Sequence, residues 1–184
     1  MTVESLEDSW QRVVDWLETN APVTASELHS PVRPEDIDAA QERMGVFFPE
    51  EFRAWLVLTG ADNDRETTEG VLPGFGGLLS LARMERIYQL KMEIENDDPS
   101  DPDDAPFWQE HWIPIFADSD AKYGKFLDAH TGQIGSFEHA DAPSFGVHDS
   151  LSALFSETAD LMAQIANASA AVGTVQNGRL IYLS

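Results

Sequence analysis

The stretch Trp112–Glu138, WIPIFADSDAKYGKFLDAHTGQIGSFE, decides the fold class. Within it, WIPIFA, KFLDAH and QIGSFE are short and apolar-rich, and they are separated by DSDAKYG and HTG. Apolar runs bounded by Asp, Ser and Gly read as successive antiparallel strands and turns, so the spacing predicts a β-meander with strands near 112–117, 124–128 and 133–138.

Outward from the meander the period becomes helical. On the C-terminal side, Leu151, Leu154, Phe155, Met162 and Ile165 share one face, which predicts a helix over 150–166 capped by Asp149 or Ser150. Beyond it, 174–183 is split by Asn177-Gly178, a strong hairpin signal, and this hairpin either adds to the sheet or stands apart. On the N-terminal side, Leu6, Trp10, Val13, Val14 and Leu17 predict a helix over 5–19, with Ser5 and Asp8 as a capping pair. Residues 20–31 read as a connection. Pro34 opens a helix over 34–44 that Gly45 stops. Pro49 opens another over 49–59 that buries Phe52, Trp55 and Leu56 and ends near Gly60. The segment 61–70, with Asp62, Asn63, Asp64 and Glu66, reads as a polar loop, and Gly77 to Leu81 is a candidate strand. Met84, Ile87, Tyr88, Lys91 and Ile94 mark a helix over 82–95, which DDPSDPDDAP (97–106) terminates as an exposed, mobile loop. The class is α+β: N-terminal helices, a mostly antiparallel central sheet, and a C-terminal helix followed by a short hairpin. With no internal repeat and no break that leaves two cores, residues 1–184 are expected to form a single domain.

Composition narrows the function. Apolar residues make up 42% of the chain, with 5 Trp and 10 Phe, far above a disordered acidic chain. Against 33 Asp and Glu stand 11 Lys and Arg, a formal charge of −22 that repels phosphate backbones and anionic lipid. Neither nucleic acid nor membrane is therefore an expected direct partner. The opening MTVESLEDSW lacks the basic and apolar regions of a secretory signal, and no apolar run reaches the ~20 residues that cross a bilayer, so a cytoplasmic location is expected. Between Lys91 and Lys122 there is no basic residue, while Glu93, Glu95, Asp97, Asp98, Asp101, Asp103, Asp104, Glu110, Asp118 and Asp120 all fall in that interval. Such a segment either attracts a basic partner or is simply a solvated surface.

Catalytic patterns are tested one by one and fail. The absence of Cys removes disulfides, thiolate metal sites and thiol nucleophiles. In PGFGG, a dinucleotide fingerprint opening on Gly74 and Gly76 needs glycine where Leu79 stands. Gly124-Lys125 is followed by Phe126, not by the Ser or Thr of a phosphate loop. Asp118, Ser119 and Asp120 begin like a calcium loop, but Lys122 and Ala129 occupy ligand positions. The histidines His29, His111, His130, His139 and His148 show no i,i+4 pair, and His139 with Asp141 is the nearest to a metal pair. Gly135-Ser136 lacks the flanking glycine of a nucleophile elbow. No catalytic residue, cofactor or metal ligand is assigned, although an enzyme with a motif-free site is retained as the third reading. Trp108 and Trp112 flank the acidic segment. Core packing is their first reading, and an aromatic anchor beside a negative patch is the other.

The order of PEDIDAAQERMGVFFPEEFRAWLVLTGAD, GLLSLARM, HWIPIFADSDAKYGKFLDAHTGQIGSF and SLSALF resembles the SUKH superfamily, which includes the Smi/Knr type of fungal cell-wall regulator, over about Val32 to Leu161. The carrying elements are Met44-Gly45, a helix from Pro49 to Gly60, Leu78 to Leu81, Trp112 to Pro114, and Asp128 with Gly132. These are fold markers, not a catalytic set. The resemblance implies an α+β fold and, for bacterial members, service as immunity proteins that bind and neutralise toxins, many of them nucleases with basic clefts. The alternative is a regulatory scaffold in cell-wall assembly or signalling. Under the first reading the partner is a basic toxin domain, and the partner-binding candidates are Asp97, Asp98, Asp101, Asp103, Asp104, Trp108, Asp118 and Asp120.

Overall fold

In the computed structural model, which describes residues 4–58, 67–139, 141–167 and 172–183, the first half of the chain forms α1 (Leu6–Asn20), α2 (Pro22–Ser26), α3 (Pro34–Met44), α4 (Glu50–Leu58), β1 (Thr67–Glu69), β2 (Gly77–Leu79) and α5 (Leu81–Asp97). Then follow β3 (Trp112–Ala117), β4 (Tyr123–Asp128), β5 (Ile134–Glu138), β6 (Ser144–His148), α6 (Leu151–Ala166), β7 (Gly173–Gln176) and β8 (Arg179–Tyr182). Strands β1 to β6 make one antiparallel sheet in chain order, so the meander extends one strand beyond the three expected and two before them. The hairpin β7–β8 stands apart as a second sheet.

Most helix ends carry the signals that announced them. Ser5 and Ser150 accept the N–H three residues on at α1 and α6, Gly45 closes α3 at a φ of 67°, and Ser80, inside the stretch expected to be a strand, caps α5 in the same way. Asp128 and Gly132 shape the β4–β5 turn as expected: the Asp128 carboxylate accepts the N–H groups of His130 and Thr131, and the Gly132 N–H returns to the Asp128 carbonyl. The expected stop at Gly60, and Asp62, Asn63, Asp64 and Glu66, lie outside the described residues.

Three elements were not expected. Helix α2 lies in the supposed connection; it has no side-chain cap, and the N–H groups of Val23 and Thr24 donate to the carbonyl of Gly178 in the distant hairpin turn. Strand β1 lies in the supposed polar loop and exists by pairing with β2. Strand β6 is an edge whose residues are nearly all exposed, so it has no alternating pattern to read.

One hydrophobic cluster joins both halves of the chain. Helix α1 packs on α6, and α5 on β3 and β2. Between α4 and α6, the Glu51 carboxylate accepts the N–H groups of Leu151 and Ser152, placing a negative charge at the α6 N-terminus. The sheet leaves space for its aromatic residues at two glycines. A Cβ at Gly135 would overlap the Phe126 ring, and one at Gly124 would overlap the Phe116 carbonyl oxygen and lie 2.6 Å from the Phe137 ring. Either substitution forces a large buried ring to move.

Candidate protein-binding surface

The acidic segment leaves the end of α5 and returns to the sheet at β3. Asp97, Asp98, Asp101, Asp103 and Asp104 are all exposed, and among the described residues no ion pair reaches any of them. The loop is nevertheless tied at its neck. Ser100 donates its N–H and its hydroxyl to the Glu95 carboxylate at 2.9 and 2.8 Å, and the Phe107 N–H donates to the Ser100 Oγ at 2.8 Å. Burial alone would raise the Glu95 carboxyl, but the hydrogen bonds from Ser100 and from the backbone of Trp108 and Phe107 hold it below its ordinary range. Glu95 is therefore a structural carboxylate that closes the loop.

The remaining candidates separate. Trp108 is only 2% exposed and meets Trp112, Phe126 and Phe137 edge-on, at centroid distances of 5.5, 5.8 and 5.4 Å. Its reading as a partner anchor is corrected: it is a core residue, because these three rings close around it. The Asp118 carboxylate accepts the N–H groups of Lys122 and Tyr123 and shapes the β3–β4 turn. It faces a different groove, shared with Glu69, Phe75 and Arg179. Asp120 is exposed and lies 3.5 Å from Lys122 of its own turn.

What the fold adds to the five aspartates comes from the β5–β6 connection. A groove of about 340 Å³ runs between the acidic loop and that connection, lined by Asp104, Phe107, Phe137, Glu138, His139 and Asp141. Three carboxylates thus border an aromatic floor. Beneath the floor lies Lys91 of α5, 7% exposed, with its Nζ 4.5 Å from the Phe137 ring centroid and 5.0 Å from that of Phe107. Burial pushes the Lys91 amine down to about 8, against the pull of Asp118. Glu138 and Asp141 are 34 and 37 residues from Asp104, and no spacing rule connects positions so far apart.

The histidines are arranged differently from the sequence reading. His139 and Asp141 border the groove, whereas His111, Asp128 and His130 form a group whose ligand atoms all lie within 4.8 Å of one another. Sequence spacing missed it because His111 sits before β3 and the other two sit in the β4–β5 turn, brought together only by strand pairing. His148 takes another partner, Glu157, at 2.8 Å. Among the described residues no helix is long and apolar enough to cross a membrane.

The model of the SMI1 / KNR4 family (SUKH-1) matches residues 31–157 of the chain. No curated protein matches it.

Proposed function

This chain belongs to the SMI1 / KNR4 family (SUKH-1), and from that premise we propose that it is a non-enzymatic protein-binding module, an immunity protein that binds and neutralises a toxin domain with a basic surface. One observation carries the reading: the groove where Asp104, Glu138 and Asp141 border Phe107 and Phe137, beside four further exposed aspartates. A Lys or Arg side chain suits this site, since its charged head meets carboxylates while its stem lies on aromatic rings. The surrounding aspartates would act earlier, drawing a basic partner in before contact. A nuclease must hold a polyanion and so presents a basic cleft, which an acidic protein can enter and occlude.

The test requires a candidate toxin domain from the genomic neighbourhood and measures association and dissociation at low and high salt. Changing Asp97, Asp98, Asp101, Asp103 and Asp104 to Asn is expected to slow association roughly tenfold at low salt and to flatten its salt dependence. Glu138→Gln with Asp141→Asn should instead speed dissociation, because those carboxylates are placed to touch the bound side chain. A five-Asn variant that associates as fast as the parent at both salts would leave the acidity as a solvated surface. Failure to bind the toxin at all would favour the regulatory-scaffold reading.

A further inference from the structure

The turn that closes β4 onto β5, together with the residue just before β3, holds a donor set the protein-binding role does not use. His111, Asp128 and His130 contribute two imidazoles and one carboxylate, with every ligand atom within 4.8 Å of the others. We propose that these three residues form a binding site for a divalent transition ion of the zinc class, with the remaining coordination positions open to water or to a partner's side chain.

The backbone under the site is fixed from three directions. The Tyr88 hydroxyl donates to the Glu110 carbonyl at 2.7 Å, the Trp112 N–H donates to the Gln109 carbonyl at 3.0 Å, and the Ala129 N–H donates to the His111 carbonyl at 2.8 Å. His111 is thereby clipped to the very turn that carries the other two ligands. Asp128 is oriented as well, since its Oδ1 already accepts the His130 and Thr131 N–H groups, leaving Oδ2 as its open donor atom. Bound carboxylates are characteristically held by such secondary hydrogen bonds.

The distances require a small closure. His111 Nε2 lies 3.8 Å from Asp128 Oδ1, and ligands about 2.0–2.1 Å from a tetrahedral zinc stand roughly 3.3 Å apart. The imidazole rings of His111 and His130 are stacked, with centroids 3.9 Å apart and planes 6° from parallel, so one ring must turn before both lone pairs meet at one point. His130 is the exposed ring of the pair, whereas His111 is half-buried beside Trp112. Two nitrogen donors and one carboxylate select zinc, cobalt, nickel or copper over magnesium and calcium, which take oxygen donors. The charge of −22 adds a general attraction for cations but does not choose the site.

Isothermal titration of the chelator-treated protein with ZnCl2, in a buffer that does not bind zinc, provides the test. One saturable equivalent is expected, with a thermal midpoint that rises as free zinc increases. His130→Ala removes an exposed ligand and should weaken binding roughly tenfold or more. Asp128→Asn keeps the turn's acceptor but removes the charge, and should weaken binding too, while His139→Ala should bind as the parent does. The unfolding midpoint of each variant without zinc verifies that its fold is kept. Absence of saturable uptake by the parent, or His130→Ala binding as tightly as the parent, overturns the site.

Discussion

Residues 97–104 and residues 107–112 are near neighbours in the chain and opposite in character. The first group carries five exposed aspartates with no ion-pair partner among the described residues; the second carries Trp108 and Trp112, both buried, in a cluster with Phe126 and Phe137. The contrast separates two physical roles. Buried rings act at contact distance and set stability, while exposed charges act over roughly a Debye length of ~10 Å and set encounter. Ser100, bonded to Glu95 and Phe107, is the joint between the two.

The largest expected effect breaks the aromatic side of this contrast. Trp108→Ala removes a ring packed against three others and should destabilise the fold by about 3–5 kcal/mol, measured by urea denaturation. A loss below about 1 kcal/mol would mean that the ring does not anchor the loop to the sheet.

A middle-sized effect probes Lys91, the cation enclosed by the aromatic residues. Its amine is lowered from 10.5 to about 8 in the folded protein, so between those values the unfolded chain holds more protons and stability rises with pH. Below pH 8 both states are charged and the burial penalty is fully present. From pH 7 to pH 10 this group should add on the order of 2–3 kcal/mol, and Lys91→Met should remove that rise. Parallel stability curves for parent and variant would show that the amine is not enclosed as described.

The smallest effect belongs to the aspartates. Changing all five to Asn should alter stability by less than about 0.5 kcal/mol, because the groups are exposed. A large loss of stability would show that they support the fold, and would remove the contrast with the aromatic neighbours.

The groove and the histidine group were legible only in part. Asp104 stood out as part of a run without cations, but Glu138 and Asp141 are ordinary exposed acids until the β5–β6 connection places them opposite it. His111 and His130 share no helical spacing, and their proximity follows from β3 pairing with β4, where Trp112 stands opposite Asp128. Trp108 was read both ways, and burial decided between them.

The sequence by itself determined every element whose signal is local. The caps at Ser5 and Ser150, the stop at Gly45, the three meander strands and the Asn177-Gly178 hairpin depend on backbone and side-chain chemistry within a few residues. Tertiary structure alone decided α2, β1 and the acidic groove. Helix α2 has its first donors satisfied by Gly178, β1 has its hydrogen bonds satisfied by β2, and the groove has its walls supplied by segments more than 30 residues apart. In each case the stabilising partner is distant along the chain, and a partner's position in space is a property of the folded whole.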